Sequence, residues 1–250
     1  GAAGGPKALG IQGLDLALFG EWLPAAPRER SLIGASVGSW RFASACLPDA
    51  AQGIRRLGQL YTEQDFAKGV SMAQISQSSQ RMLDDLLDGQ DARILDNPDY
   101  RLNIMVVKSH GLLADDHRGR LGLGLSSVIA DNLRGRARLS RHFERLIIHD
   151  PRRAPPVHAL EDFPSRFVAL NAGNLRQALL ASGSIPMVMQ GVRDLPGAGE
   201  GTFRDGGLLD YHLDLPYSGD DIVLYPHFTD KVIPGWFDKG MPWRRGDGGR

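Results

Sequence analysis

Residues 30–40 read RSLIGASVGSW, and this stretch predicts a strand, a sharp turn and a helix in direct succession. Apolar residues run into Gly34-Ala35-Ser36-Val37-Gly38, and small residues with helical spacing follow. Side chains at Gly34 and Gly38 would collide across a turn tight enough to push the Ser36 hydroxyl into the open. With 31 glycines in the chain, the G-x-S-x-G pattern alone arises by chance roughly 0.2 to 0.3 times. The flanking strand and helix therefore carry the prediction that Ser36 is a nucleophile.

The composition is that of an ordinary globular protein. The chain has 250 residues, of which 42% are hydrophobic and 23% are charged. A chain of this size buries roughly 70 to 75% of the surface that its unfolded form exposes, and we expect a single domain over residues 1–250. Lysine plus arginine equals aspartate plus glutamate at 29 each. The protein has no net positive charge whose electrostatic field would attract nucleic acid, so a DNA-binding role is disfavoured.

The sequence carries no strong signal for a membrane span or a disulfide. No stretch reaches the ~18 to 20 apolar residues that a span needs, and no basic-then-apolar signal segment opens the chain. The single cysteine, Cys46, cannot form an internal disulfide and is predicted to be a small buried hydrophobe. We expect a soluble protein, cytoplasmic or peripheral to a membrane, and the cysteine does not decide the compartment.

A glycine-rich segment, GAAGGPKALG at residues 1–10, leads into an apolar helical pattern over residues 7–23. Such a loop gathers free backbone N–H groups and the positive end of a helix dipole, so it suits a phosphate or an oxyanion. The alternative is a plain turn before a helix. The loop is not a Walker loop, because Ala8 follows Lys7, and it lacks the G-x-G-x-x-G of dinucleotide sites.

The remaining patterns alternate between helices and strands. Helices are predicted over residues 48–89, 122–138 and 174–181, and strands over residues 102–110, 145–149, 166–170 and 221–225. The strand LNIMVVKSH at residues 102–110 is apolar enough to be buried on both faces. Strands that alternate with helices of ten or more residues predict an α/β sandwich on a mainly parallel sheet.

Two segments combine positive charge with apolar or helical patterns. The first contains the arginines Arg134, Arg136, Arg138, Arg141 and Arg145. A solvated helix face is one interpretation, and contact with anionic lipid is the other. The second is the tail over residues 234–250, which mixes lysine and arginine with the aromatic residues Trp236, Phe237 and Trp243. This tail is interpreted as an interfacial anchor, a strand-capping tail or the edge of a truncated domain.

Ser36 needs a base, because a hydroxyl is a poor nucleophile until its proton is removed. Asp205 is the first candidate, since two glycines let the backbone turn behind it and an apolar run follows. The other Asp-Gly-Gly, at Asp247, lies in a polar tail with nothing to hold it rigid. A histidine is the second candidate, because His212 or His227 would give the order Ser, Asp, His of α/β-hydrolases. Asp205 could alternatively be a turn residue that caps local backbone.

Three motifs in a fixed order resemble the patatin-like phospholipase family. They are Gly4-Gly5-Pro6-Lys7, Gly34-Ala35-Ser36-Val37-Gly38 and Asp205-Gly206-Gly207. The stretch ASGSIP at residues 181–186 is similar to the small-residue helix end before the aspartate of that family. The resemblance spans nearly the whole chain. It implies a three-layer α/β/α sandwich, a Ser36–Asp205 dyad without histidine, an oxyanion hole from the glycine loop, and hydrolysis of acyl esters in lipids with no metal or cofactor.

The glycine loop departs from the family pattern in composition. Alanines stand where the family often has glycine or aspartate, at Ala2, Ala3 and Ala8. Pro6 has no N–H, so the oxyanion donors are expected from Gly4, Gly5 or Lys7, with Val37. The family fold also begins with a strand just before the loop, which would lie upstream of Gly1.

The sequence thus predicts a lipid acyl hydrolase, of phospholipase or lysophospholipase type, that acts through an acyl-enzyme on Ser36 with Asp205 as the base. The expected partners are a lipid or other acyl-ester substrate and, peripherally, an anionic membrane. Two alternatives remain open. One is a Ser-His-Asp esterase or thioesterase of α/β-hydrolase type, and the other is a catalytically silent lipid-binding or regulatory module with the same fold.

Overall fold

The computed structural model describes residues 1–66, 68–157, 160–217 and 219–246. The sheet contains six strands, namely β1 Arg30–Ala35, β2 Tyr100–Ser109, β3 Phe143–His149, β4 Ser165–Ala169, β5 Val192–Arg193 and β6 Thr202–Asp205. The α-helices are α1 Gln12–Ala17, α2 Val37–Ala45, α3 Ala50–Thr62, α4 Met72–Leu87, α5 Asp91–Leu95, α6 Arg118–Arg134 and α7 Leu175–Ser182. Short 3₁₀ segments cover Gly5–Ile11, Gly111–Ala114, Arg136–Arg141, Gly206–Leu208 and Trp236–Asp238, and a π turn covers Leu18–Trp22.

The sheet is open and mixed in direction. Its order is β4-β3-β2-β6-β5, and β1 also pairs with β2. The pairs β1–β2 and β3–β4 are parallel, whereas β2–β3, β2–β6 and β5–β6 are antiparallel. The predicted α/β class is confirmed, but a mainly parallel sheet is not. The apolar run of β2 reflects burial of both faces, and burial alone does not require parallel neighbours.

One edge of β2 is shared by two strands that lie end to end. β1 runs parallel to the first six residues of β2, and β6 runs antiparallel to the last four. β3 occupies the opposite edge of β2. Because β1 and β6 run toward each other, their carboxyl ends meet beside Met105 and Val106. This meeting point brings Ser36, which follows β1, next to Asp205, which ends β6.

The core lies on both faces of β2. Ile104 and Val106 belong to the largest apolar cluster, which also includes residues of α2, α3, α4 and α7. Met105 and Val107 alternate with them and belong to two further clusters. Each fully buried aliphatic side chain of this kind stabilises the fold by about 1.5 to 3 kcal/mol. The prediction for Cys46 is confirmed, since it is fully buried and its burial raises the pKa of the thiol.

The predicted helix over residues 48–89 is two helices, each with its own N-cap. The Asp49 carboxylate accepts the amide N–H of Gln52 at 2.8 Å at the start of α3. The Ser71 hydroxyl accepts the amide N–H of Gln74 at 3.2 Å at the start of α4. Each cap stabilises its helix by about 1 kcal/mol. A capping residue has non-helical backbone angles, so the two helices cannot merge across Ser71.

The strand predicted over residues 221–225 is not formed. Ile222 is 95% exposed, and Val223 and Leu224 are also exposed. Branched residues fit a pleated surface, but a strand also needs a neighbouring backbone to bond with. Conversely, the sequence patterns do not predict β5 or β6, because their two and four residues are too few to show periodicity.

Among the helices of the described ranges, none is long and apolar enough to cross a membrane.

Candidate active site

Ser36 occupies the sharp turn between β1 and α2. Its backbone has φ 55° and ψ −134°, a conformation that costs a residue with a side chain about 1 to 3 kcal/mol. A Cβ on Gly38 would lie 1.9 Å from the carbonyl oxygen of Gly1. A Cβ on Gly34 would lie 2.6 Å from the backbone nitrogen of Ser39. Only glycine fits at these two positions, and the predicted strand, turn and helix around Ser36 are confirmed. The expectation that the turn exposes the Ser36 hydroxyl is wrong: Ser36 is 5% exposed, because distant segments pack around the turn.

Hydrogen bonds from distant parts of the chain hold the backbone of this turn. The Ser36 amide donates to the Ser182 hydroxyl oxygen at 2.9 Å, and the Ser182 hydroxyl donates to the Met105 carbonyl at 2.7 Å. The Ser39 hydroxyl donates to the Ser36 carbonyl at 2.6 Å. The end of α7 and the middle of β2 therefore fix Ser36. The sequence marks the stretch around Ser182 only as a small-residue helix end and does not reveal this contact.

Asp205 is the last residue of β6 and is 4% exposed. Its carboxylate accepts the amide N–H of Gly207 at 2.7 Å and lies close enough to the Ser36 hydroxyl for that hydroxyl to act on its ionisation. Burial raises the pKa of the Asp205 carboxyl to about 7, although the Ser36 hydroxyl, the Gly207 amide and the charge of Lys239 each act in the opposite direction. The carboxylate therefore both caps local backbone and contacts the serine. A carboxylate with this pKa, beside a hydroxyl, can act as a general base at neutral pH.

The two histidines that could complete a triad have other partners. His212 is fully buried, and its Nδ1 accepts the amide N–H of Ile233 at 2.9 Å. Burial, followed by the neighbouring His227, lowers the pKa of His212 to about 3. The Nδ1 of His227 is bonded to the Thr229 carbonyl at 2.6 Å. Within the described ranges, neither ring forms a hydrogen bond with Ser36 or with the Asp205 carboxylate.

The glycine loop is anchored at both ends. The Ala3 amide donates to the Tyr211 carbonyl at 2.9 Å, which ties the loop to the segment after Asp205. Behind the loop, Arg41 of α2 and Asp15 of α1 form a buried bidentate ion pair with distances of 2.7 and 2.5 Å. A two-pronged pair of this kind fixes orientation as well as distance. The loop is therefore held against the helix that begins at the elbow.

The predicted oxyanion donors separate into two groups. In the part of the chain that the structure describes, the amides of Gly4, Gly5 and Val37 have no protein acceptor. The Lys7 amide donates to the Gly4 carbonyl, at a long distance of 3.4 Å. Val37 is the first residue of α2, so its N–H also lies at the positive end of that helix dipole. Gly4, Gly5 and Val37 are thus the amides available to an oxyanion.

A narrow apolar cleft of about 20 Å³ opens beside the glycine loop and the elbow. Its apolar lining comes from Ala8, Leu9, Val37, Ile54, Leu57 and Tyr61. The Tyr61 hydroxyl oxygen lies 3.7 Å from where a Cβ on Gly5 would be, and burial and the charge of Asp205 raise the pKa of Tyr61. An acyl chain would have to displace lining side chains to enter. No sequence motif points to Tyr61, and only the fold brings it to the site.

The five arginines between residues 133 and 145 do not form one solvated face. Arg145 is 0% exposed and forms bidentate ion pairs with Asp210 and Asp162, with bonds of 2.7 to 2.9 Å. Arg136 bonds to the Asp238 carboxylate and the Leu209 carbonyl. These two arginines link β3 and the preceding turn to the segment after Asp205. The three that are exposed are Arg134, Arg138 and Arg141.

Asp247, the aspartate of the other Asp-Gly-Gly, lies outside the described residues. Among the residues that the structure describes, no three side chains of His, Cys, Asp or Glu are grouped so as to hold a metal ion. In comparisons with known proteins, no family model, no curated protein and no solved structure matches this chain.

Proposed function

We propose that this protein hydrolyses acyl esters of lipids through an acyl-enzyme on Ser36, with Asp205 as the base. One observation carries the proposal: a serine in a strained strand-to-helix turn lies beside a carboxylate that is 4% exposed, and its hydroxyl acts to lower the pKa of that carboxyl. Backbone strain and a buried carboxylate both destabilise a fold, and such features concentrate at functional sites. A patatin-like three-layer α/β/α arrangement is the fold proposed with this activity, in keeping with the resemblance of the motifs.

The first half of the reaction forms the acyl-enzyme. Ionised Asp205 accepts the Ser36 proton as the Ser36 oxygen attacks the ester carbonyl carbon. The carbonyl oxygen becomes an oxyanion that faces the amides of Gly4, Gly5 and Val37, and each donor of this kind stabilises the transition state by about 3 to 4 kcal/mol. When the bond to the alcohol breaks, Asp205 returns the proton to the leaving oxygen.

The second half releases the acid. Water takes the place of the alcohol, and Asp205 accepts a proton from it as it attacks the acyl carbon. The bond to Ser36 then breaks, and the Ser36 oxygen takes the proton back from Asp205. The free fatty acid leaves, and the enzyme is restored with no net change in any residue.

The pH dependence follows from the burial of Asp205. Only the ionised carboxylate can accept a proton, and its pKa is about 7. The ionised fraction therefore rises from about one tenth to about nine tenths across two pH units centred there. We expect kcat/KM to increase with pH through neutrality. An unperturbed carboxylate, with a pKa near 4, would keep activity to lower pH, whereas a histidine base would give a profile similar to that of Asp205.

The alternatives are less well supported by the site. A Ser-His-Asp triad needs a histidine between the serine and the aspartate, and His212 and His227 are bonded to other groups. A silent lipid-binding module has no need of a strained serine in contact with a carboxylate. The apolar lining of the cleft beside Val37 suits an ester with a hydrocarbon acyl chain better than an ester with a polar acyl group.

Labelling with a fluorophosphonate tests the proposal. We expect one covalent adduct, mapped by peptide mass spectrometry to Ser36. Ser36→Ala should lose both the adduct and ester hydrolysis, while its melting temperature stays close to that of the wild type, because one small hydroxyl contributes little to the core. Ser127→Ala, which changes an exposed serine on α6, is the matched control and should keep both. An adduct on any other serine would contradict the assignment.

We further propose that the substrate is met at an anionic membrane surface. The outward side of α6 carries the exposed apolar residues Leu123, Ile129 and Leu133. The exposed arginines of the same region follow directly in the chain, at Arg134, Arg138 and Arg141. An apolar face flanked by positive charge combines the two interactions that hold a peripheral protein on an anionic bilayer.

A further inference from the structure

The hydroxyl of Tyr61 lies against the glycine loop, at Gly5. Tyr61 is near the end of α3 and is half-buried. Its hydroxyl oxygen lies 3.7 Å from the position that a Cβ on Gly5 would take. That position is about 2.5 Å from the Gly5 backbone nitrogen, so this nitrogen and the hydroxyl oxygen are no more than about 6 Å apart. One oxygen atom between them can therefore accept hydrogen bonds of about 3 Å from both.

The Tyr61 hydroxyl has no partner of its own. Among the described residues, no group forms a hydrogen bond with it. The other polar side chains that line the cleft are already bonded. Asp15 and Arg41 form an ion pair with each other, and the Gln12 side-chain amide donates to the Ile54 carbonyl at 2.9 Å. The hydroxyl of a buried tyrosine usually finds a partner, so the lining leaves this one for a ligand.

Tyr61 remains a proton donor when Asp205 is ionised. Burial, followed by the charge of Asp205, raises the pKa of Tyr61 above its usual value of 10.0. The phenol is therefore neutral at the pH at which the Asp205 carboxylate can accept a proton. A neutral phenol donates one hydrogen bond, and such bonds are stronger to a negatively charged oxygen than to a neutral one.

The cleft beside Tyr61 also holds two of the available oxyanion donors. Gly5 and Val37 both line it, and within the described ranges their amides have no protein acceptor. The cleft volume of about 20 Å³ exceeds the ~10 to 15 Å³ that one water-sized group needs. An oxyanion is a single oxygen atom, so it fits this space without any displacement of the lining.

We propose that Tyr61 is a third catalytic residue, whose hydroxyl donates a hydrogen bond to the oxyanion together with the amides of Gly5 and Val37. The inference rests on the proposed function and adds a side-chain donor to the backbone donors of the site. The ester carbonyl oxygen gains negative charge as the Ser36 oxygen adds to the carbon, and the bond from Tyr61 strengthens with that charge. The phenol keeps its own proton, so the Ser36 proton still passes to Asp205 and then to the leaving alcohol.

Tyr61→Phe tests the hydroxyl, because the variant keeps the ring that lines the cleft. With a soluble p-nitrophenyl ester we expect kcat to fall about 100-fold and KM to change little, as on loss of one oxyanion donor. The melting temperature should not fall, since the hydroxyl has no hydrogen bond to lose among the described residues. An unchanged kcat, or a change confined to KM, would overturn the role of Tyr61.

Thr62→Val is the matched control. It removes the hydroxyl of the next residue on α3, which is exposed and donates to the carbonyls of Gly58 and Gln59 in the same helix. This variant should keep the wild-type kcat and KM. A loss as large as that of Tyr61→Phe would assign both effects to the helix and would also overturn the proposal.

A transition-state analogue supplies a second measurement. When an alkylboronic acid reacts, the Ser36 oxygen bonds to boron, the Ser36 proton goes to Asp205, and the tetrahedral boron group carries the negative charge of the oxyanion. Tyr61→Phe should raise the inhibition constant by about the factor by which it lowers kcat/KM. It should not change the affinity for an ether with the same chain, because an ether has no carbonyl oxygen. Equal weakening of both inhibitors would mean that Tyr61 only packs against the chain, and would overturn its catalytic role.

The failure of this inference can be distinguished from the failure of the proposed function. If the wild type hydrolyses the ester and takes the fluorophosphonate on Ser36, and Tyr61→Phe does so at the same rates, Tyr61 is not catalytic and the hydrolase stands. If the wild type neither hydrolyses the ester nor takes the label, the proposed function is wrong and the role of Tyr61 falls with it.

Discussion

Ser36 and Asp205 are each held in a state that the isolated residue would avoid. The backbone of Ser36 has a positive φ, and the carboxyl of Asp205 is buried among groups that only partly replace water. Both states raise the free energy of the folded protein, by about 1 to 3 kcal/mol for the backbone and by more for an ionised buried carboxylate. At the scale of single residues, stability and the proposed reactivity therefore oppose each other.

Asp205→Asn tests the role of the carboxylate in catalysis. If Asp205 takes the Ser36 proton directly, the variant should lose about as much activity as Ser36→Ala, because members of a catalytic pair act as one unit. The measurement is kcat/KM with a soluble ester across the pH range. Wild-type activity should rise through the Asp205 pKa of about 7, and this rise should vanish in the variant. An active Asp205→Asn enzyme would instead favour a histidine base.

The same variant should be more stable than the wild type at alkaline pH. The folded state holds the Asp205 proton more tightly than the unfolded chain does, so the free energy of unfolding falls as the pH rises from about 4 to about 7. A shift from 3.8 to about 7 corresponds to about 4 kcal/mol at full ionisation. Urea unfolding should show Asp205→Asn stabilised by about 2 to 4 kcal/mol at about pH 8 and little changed at about pH 4. Asp220→Asn, which alters an exposed carboxylate, is the control and should show no such gain.

At the scale of elements, the site depends on the direction in which two strands approach each other. β1 and β6 share one edge of β2 and run toward each other, so the residues at their carboxyl ends meet. The elbow then turns the chain into α2 within a space that admits no side chain at Gly38. The meeting of the strand ends and the tight elbow both depend on the position of the backbone. Adding a single methyl group in such closely packed regions is enough to disturb them.

Gly38→Ala tests this packing. The added Cβ would lie 1.9 Å from the Gly1 carbonyl oxygen, so backbone must move. We expect a loss of about 1 to 3 kcal/mol or more in the free energy of unfolding, together with most of the activity. Gly122→Ala is the matched control, because nothing lies within 4 Å of a Cβ there and the residue is inside α6. It should stabilise the protein by about 1 kcal/mol, and equal losses in both variants would contradict the argument.

The whole molecule presents three surfaces of different chemistry. An apolar cleft adjoins the elbow, a cavity with two lysines adjoins the segment after Asp205, and α6 exposes an apolar side next to arginines. The chain as a whole has no net charge. Local positive charge, rather than an overall field, would therefore direct the protein to an anionic lipid.

Sedimentation with anionic liposomes tests the membrane surface. Binding should weaken as salt rises, since exposed charges are screened beyond ~10 Å at 0.1 M salt. The double variant Arg138→Gln with Arg141→Gln should lower the partition coefficient by about tenfold or more, at about 1 kcal/mol for each arginine. Arg55→Gln with Arg56→Gln removes two exposed arginines from α3 and is the control. If the protein binds neither anionic nor neutral vesicles, a soluble ester substrate is favoured instead.

Local sequence patterns were sufficient for the elements that form from neighbouring residues. The turn around Ser36, the buried strand β2, the helices α2, α6 and α7, and the burial of Cys46 all follow from periodicity, glycine placement and composition. These features depend on sterics and hydrophobic spacing within about ten residues, and both can be read directly from the chain.

Only the tertiary structure decided what surrounds the serine. Strand direction, the antiparallel β6 and the Ser36–Ser182 contact across 146 residues are set by packing between distant segments, which leaves no local pattern. The pKa of Asp205 and the burial of Arg145 likewise depend on the water that other elements exclude. The sequence therefore determined which residue is the candidate nucleophile. The sequence also indicated Asp205 as the candidate base. The fold determined that the two residues meet, that the carboxylate is buried and that cavities lie beside them, because each is a property of residues brought together from far apart.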